Sequence, residues 1–233
     1  MVSVIILAAG KGRRMHQKTA KQFLEICGKP LLYYSLKTFD ASIADEIILV
    51  TRKTDIEYCK KEVVGKYGFG KVKRIISGGD KRYNSVWAGI KAADKRNNVI
   101  MIHDSARPFV TNRMILDSIS EVRRSKACTV GMPVKDTIKV IDEAGFGVET
   151  PDRNTLYQIQ TPQTFDRNTI TEAYRRLFLS GDIERGISIT DDTMIVEKYM
   201  DVNSKIIEGS YKNMKVTTPE DLVIAEAFIK NAI

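Results

Sequence analysis

Five basic side chains fall within eleven residues just after a short apolar run. Leu7-Ala8-Ala9-Gly10-Lys11-Gly12-Arg13-Arg14-Met15 is followed by Lys18 and Lys21. Small residues let a ligand approach the backbone, glycines permit unusual torsions, and loop amides beside cations bind polyphosphate. A plain strand-to-helix turn is the bland alternative, but the density of cations at a strand's carboxyl end favours a triphosphate. The segment is not a Walker loop. It is also a poor dinucleotide fingerprint, because Met15 stands where a third small residue belongs. Arg14 and Lys21 are the expected charge-neutralising catalytic groups.

Two further segments end strands in the same way. In Ser77-Gly78-Gly79-Asp80-Lys81-Arg82-Tyr83-Asn84-Ser85-Val86, the glycines would admit a flat base, and Asp80 and Ser85 would read its polar edge. The alternative is a glycine turn with Asp80 capping the next helix. In Val99-Ile100-Met101-Ile102-His103-Asp104-Ser105-Ala106-Arg107-Pro108, an apolar strand ends in an acid, and Asp104 facing a triphosphate suits Mg²⁺. Arg107 would pair with Asp104 or face phosphate. His103 is either a general base or, more commonly for a strand-end histidine, structural. Thr137, Arg153 and Lys215 are weaker signals from spacing alone. The chain lacks a Gly-x-Ser-x-Gly elbow, a His-Glu-x-x-His helix and a Cys/His constellation. A substrate phosphate, mostly dianionic near neutral pH, would need no enzyme base as a nucleophile. The protein would then align two anions and neutralise charge on the reacting phosphate.

These segments need a scaffold. Short apolar runs at 2–9, 46–51, 72–76, 99–102 and 128–132 read as buried parallel strands. Helical spacing at 31–39, 56–67, 85–93 and 114–122, the last after the cap Thr111, alternates with them. This predicts a doubly wound, mostly parallel α/β sheet with ligands at the strands' carboxyl ends. Residues 133–156 read as a protruding two-stranded β-arm, marginal alone and therefore expected to pack on something, a second copy included. Strands at 157–161, 205–207 and 214–216 and helices at 167–179 and 192–199 follow. A final helix opens at Thr218-Pro219-Glu220-Asp221.

The 233 residues suit a single domain with that arm. The 43% hydrophobic and 28% charged composition is that of a globular chain. The net charge of +8 suggests an anionic partner: nucleic acid, an acidic membrane or a small phosphate. Clustering at strand ends and the absence of a recognition motif oppose nucleic acid. Three dispersed cysteines, Cys27, Cys59 and Cys128, form neither a disulfide framework nor a zinc ribbon. With no signal-peptide pattern and no apolar run of about 18–20 residues, a cytoplasmic protein off the membrane is expected.

The ordered blocks together resemble the 2-C-methyl-D-erythritol 4-phosphate cytidylyltransferases through almost the whole chain. They are Leu7 to Met15, Lys21-Gln22-Phe23, Gly28-Lys29-Pro30, Gly78-Gly79-Asp80, Ser85-Val86, His103 to Pro108, Pro133 to Thr137, Asp152-Arg153, Thr161-Pro162-Gln163, Thr190-Asp191-Asp192 and Asn213 to Asp221. The resemblance implies a Rossmann-like nucleotide-diphospho-sugar transferase fold. Arg14, Lys21 and Lys215 would surround the CTP triphosphate. Ala8, Ala9, Gly10, Gly79, Asp80 and Ser85 would hold the cytidine, and Asp104 would lie beside the α-phosphate and the metal. Arg107 would support the substrate site. Thr137 and Arg153, on arms interlocked in a homodimer, would reach the sugar-alcohol phosphate bound mainly by the other subunit. Ala20 departs from the family's usual proline before Lys21, which would loosen that loop. The ribitol 5-phosphate cytidylyltransferases resemble the chain nearly as well. From another class, an NAD(P)-dependent reductase is opposed by Met15 and a missing acidic ribose ligand.

Overall fold

The computed structural model describes residues 1–10 and 20–231. The chain runs β1 (Val2–Ala8), β2 (Glu25–Ile26), β3 (Lys29–Pro30), α1 (Leu31–Asp40) and β4 (Glu46–Thr51). Next come α2 (Ile56–Tyr58), β5 (Val72–Ser77), α3 (Arg82–Ala92), β6 (Val99–Asp104), α4 (Asn112–Ser125) and β7 (Ala127–Pro133). β8 (Val140–Ile141), β9 (Gly147–Glu149), β10 (Tyr157–Asp166), α5 (Arg167–Leu179), α6 (Asp192–Met200), β11 (Lys205–Glu208) and α7 (Pro219–Lys230) complete it.

Seven strands form one sheet in the order β11-β7-β10-β6-β1-β4-β5. β1 is parallel to β4 and β6, β4 to β5, and β11 to β7, while β10 runs antiparallel between β6 and β7. This is the expected mostly parallel α/β sheet. Its apolar runs are continuous because both faces are covered. Val4 and Ile6 of β1 pack with Leu36 and Phe39 of α1 and Ile115 of α4. Ile5, on the opposite side, packs with Val86 of α3 and with Ile170 and Tyr174 of α5. After β5 the chain crosses back to lay β6 on the other side of β1. The resulting strand-order switch opens a crevice at the carboxyl ends of β1 and β6.

One helix comes unusually close to the sheet. A Cβ on Gly89 of α3 would lie 2.5 Å from Cγ2 of buried Ile5. Alanine is intrinsically better in a helix by about 1 kcal/mol, but overpacking against a stiff β-branched side chain costs about 1–3 kcal/mol. Gly89→Ala is therefore expected to lower stability by about 1 kcal/mol, read from the urea midpoint at unchanged slope.

Several boundaries depart from expectation. The predicted helix at 56–67 is mostly a π-helical stretch, Cys59–Gly65, following α2. Residues 214–216 form no strand; Val216 is tied instead by its N–H donating to the Ala106 carbonyl at 2.8 Å. β10 continues past Pro162, because the cis Thr161–Pro162 bond falls at a pairing irregularity between Ile159 and Gln163 where no ladder donor is required. Within 134–141 only Val140–Ile141 pairs, with β9, and these residues are exposed in the single chain.

Candidate active site

Register brings the first and third basic or acidic segments side by side: Leu7 of β1 pairs with Asp104 of β6. The second joins them through close packing. A Cβ on Gly78 would sit 2.6 Å from Ser85 Oγ and 3.0 Å from Ala9 Cβ. Gly78 is thus small to seat the protein's own loop. By contrast a Cβ on Gly10 would meet nothing within 4 Å among the described residues. The Gly79 N–H donates to Ser85 Oγ at 3.1 Å, and Ser85 is buried. Asp80 is exposed, and the residue preceding α3 as its N-cap is Lys81, not Asp80.

Asp104 is the electrostatic centre. Its Oδ2 accepts from Lys215 Nζ at 2.6 Å, and its Oδ1 faces Arg82 Nε at 3.5 Å. Burial opposes its charge, but Arg82 and Lys215, with Arg107 farther out, outweigh burial and hold the carboxyl well below the ordinary range. The Lys215 side chain is 40% exposed, so it can leave the carboxylate for an incoming anion. Behind Asp104 the polar groups are spent on positioning. The Asp104 N–H donates to Thr161 Oγ1 at 3.1 Å, and Thr161 Oγ1 lies 3.0 Å from His103 Nδ1. His103 Nε2 donates to the Arg107 carbonyl at 3.0 Å, which leaves Nδ1 to accept from Thr161.

His103 is therefore structural rather than a base. It is fully buried, and burial pushes its pKa down from 6.5 to about 4. The unfolded chain takes up this proton below its ordinary pKa while the folded chain does so only near 4. The native state accordingly loses stability as pH falls through that window, by about 3 kcal/mol in full. A urea midpoint that falls between pH 6.5 and 5, and falls less in His103→Gln, is the expected result.

Arg107 does not pair with Asp104. Its Nη1 donates to the Asn213 carbonyl at 2.8 Å and its Nη2 to the Ile159 carbonyl at 3.3 Å, stitching the Lys215 segment to β10. Buried Asn213 in turn donates from Nδ2 to Gln160 Oε1 and the Thr161 carbonyl, both at 3.0 Å. Lys21 opens the short 3₁₀ turn Lys21–Phe23 and is half-buried. Ala20 before it adopts φ −63°, the angle a proline would impose. Arg14, with Lys11 and Lys18, lies outside the described residues. Thr137 and Arg153 are exposed; Arg153 Nη1 donates to the Lys135 carbonyl at 3.2 Å. Among the described residues, no hydrogen bond or ion pair joins either of them to Asp104 or Lys215.

Arg82 and Asp192 escaped the sequence reading as site residues. Arg82 forks onto Asp192, Nη1 to Oδ1 and Nη2 to Oδ2, both at 2.8 Å. They stand 110 residues apart, so no spacing pattern links them. The signal in the sequence is that Arg82 falls within the glycine-bearing segment 77–86 and Asp192 ends Thr190-Asp191-Asp192.

Comparison with known proteins adds a consistent finding. The sequence profile of the family described as IspD, 2-C-methyl-D-erythritol 4-phosphate cytidylyltransferase, matches residues 2–231. A protein of that name from Caldanaerobacter subterraneus subsp. tengcongensis is 46% identical over 230 residues, covering 98% of this chain and 99% of its own. The 4-diphosphocytidyl-2C-methyl-D-erythritol synthase structure from Anaerococcus prevotii superposes with a TM-score of 0.85 at 35% identity, over 98% of this chain and 96% of that one. The 2-C-methyl-D-erythritol 4-phosphate cytidylyltransferase from Thermus thermophilus gives a TM-score of 0.75 at 26% identity, over 97% and 98% respectively.

Proposed function

Since this chain belongs to the 2-C-methyl-D-erythritol 4-phosphate cytidylyltransferase family and performs CTP-dependent cytidylyl transfer to 2-C-methyl-D-erythritol 4-phosphate in isoprenoid synthesis, we propose that Lys215, Lys21 and Arg14 neutralise the charge developing on the CTP α-phosphate. A phosphate oxygen of the sugar-alcohol substrate forms the new bond to the α-phosphorus. The bond from that phosphorus to the bridging oxygen of the β-phosphate breaks, and pyrophosphate leaves. With a second phosphate pKa of about 6, the nucleophile is already ionised, which agrees with His103 being held neutral. The observation that carries this reading is the partly exposed Lys215 paired with Asp104 at the carboxyl end of β6. It is a cation poised at the crevice with an exchangeable partner.

Ala8, Ala9, Gly10, Gly79, Asp80 and Ser85 form the cytidine side of the site in this reading, supported by the packing of Ala9, Gly78 and Ser85. Arg107 supports the substrate side by holding the Lys215 segment. Among the described residues there is no group of three or more His, Cys, Asp or Glu to cage a metal. A lone carboxylate at a triphosphate site does fit Mg²⁺, which takes few protein ligands and completes its shell with phosphate oxygens and water. Asp104 would hold it, and the ion would add charge neutralisation at the phosphates.

The chain acts as one domain with an arm at about 133–156, and the arm completes a homodimer in which Thr137 and Arg153 reach the partner's substrate. Its exposed Ile141, Phe146 and Val148, 61–72% accessible, support that role, because a monomer gains nothing by leaving them in water. A reducing cytoplasm suits three free thiols, of which Cys59 and Cys128 are buried and pushed up to about 11 and about 12 by that burial. No helix among the described residues is long and apolar enough to cross a membrane. Pyrophosphate release with CTP and Mg²⁺ tests the substrate. Turnover with 2-C-methyl-D-erythritol 4-phosphate is expected, and turnover with ribitol 5-phosphate alone would overturn the reading.

A further inference from the structure

We propose that Arg82 is a positioning residue for the reaction: anchored on Asp192, it keeps hold of one Asp104 oxygen while Lys215 is exchanged from the other onto the substrate phosphates. This rests on the reading of Asp104 and Lys215 given above.

The two cations on Asp104 are not equivalent. Lys215 ends a flexible four-carbon stem and is 40% exposed. Arg82 is fixed by a two-pronged fork at 2.8 Å to Asp192, whose side chain is completely buried. Asp192 is itself immobilised. Its Oδ1 accepts from Tyr174 OH at 2.6 Å, and its backbone N–H donates to Gln163 Oε1 at 2.9 Å. Buried Tyr174 stacks on Trp87 with ring planes 6° apart. A guanidinium has donors on more than one edge, so with the Nη fork on Asp192 the Nε still lies 3.5 Å from Asp104 Oδ1, within ion-pair range. A lysine at this position could not serve both carboxylates in the same way.

The charge count gives the arrangement its consequence. Arg82, Asp192 and Asp104 together carry a net charge of −1, and Lys215 cancels it in the free protein. When Lys215 moves to phosphate, the cluster regains a negative charge able to hold a cation, yet Asp104 keeps Arg82 and its direction. Without Arg82, Lys215 would be the one remaining cation in an ion pair with Asp104 among the described residues, and the two groups that must part would be held together.

The test is calorimetric CTP binding with and without Mg²⁺, alongside turnover, on full-length protein whose melting is followed by circular dichroism. In Arg82→Gln, metal-free CTP affinity is expected within about twofold of wild type. Tightening by Mg²⁺ is expected to shrink at least about fivefold and kcat to fall about tenfold, as expected for a misdirected ligand. Arg82→Lys should recover part of the loss. Because Arg82→Gln strands a buried carboxylate and could fail to fold, Arg82→Gln/Asp192→Asn provides a neutral pair that keeps the anchor satisfied. The same loss is expected there. If that double variant keeps wild-type Mg²⁺ tightening and kcat, Arg82 only neutralises Asp192 and the proposal is overturned. Asp104→Asn separates the two readings. Should it keep tightening and turnover, the role of Asp104 falls and that of Arg82 with it; should it lose them while both Arg82 variants keep them, only the role of Arg82 falls.

Discussion

Lys215→Ala is expected to lower kcat for pyrophosphate release about 10²–10³-fold, the usual cost of removing one preorganised group that stabilises transition-state charge. KM for CTP should move much less, because the loop backbone and the other cations still bind the ground-state triphosphate. Folding should be nearly unaffected, with a loss of about 1 kcal/mol or less, since the ion pair is partly solvated and Arg82 still faces the remaining carboxylate. Steady-state kinetics with a parallel melting curve separates these effects. A kcat near wild type would remove Lys215 from the mechanism.

Asp192→Ala is expected to act in the opposite manner, through stability first. The substitution leaves the Arg82 fork unpaired, removes the acceptor of the buried Tyr174 hydroxyl and strips the first turn of α6 of its acid. Breaking a buried ion pair by deleting one partner costs about 3–5 kcal/mol. The Arg82 side chain is 30% exposed, so water recovers part of this and the loss should lie near about 3 kcal/mol. The urea midpoint at constant slope measures it. A drop below about 1 kcal/mol would mean that water replaces Asp192 at little cost.

The fold was legible where burial alone decides the structure. The run 46–51 matched β4 and 167–179 matched α5 because two-sided burial and a strong apolar stripe leave no competing arrangement. Legibility failed where tertiary context overrides local preference. The strand read at 157–161 runs on to Asp166, because Pro162 sits at an irregularity in the pairing. The 214–216 segment is held by the Val216 backbone bond, the burial of Val216 and the Lys215–Asp104 pair, not by a sheet. The clustering of charge was legible, but the partner each charged side chain takes was not. Arg124, Arg175 and Arg176 pair with Glu121 and Glu172 on exposed helix faces. Arg107, for which pairing with Asp104 was one expectation, instead donates from Nη1 and Nη2 to backbone carbonyls. Arg82, unremarked as a site residue, faces both acids. Such choices depend on which side chains meet across more than 100 residues of sequence, as Lys215 and Asp104 do at a separation of 111, and no local pattern encodes them.

The exchange of Lys215 from one anion to another is tested most directly by a crystal structure with CTP and Mg²⁺. The expected result has Lys215 Nζ withdrawn from Asp104 Oδ2 and within hydrogen-bonding distance of a phosphate oxygen, with Arg82 still forked onto Asp192. A bound triphosphate with Lys215 still 2.6 Å from Asp104, and no lysine contact to phosphate, would contradict it.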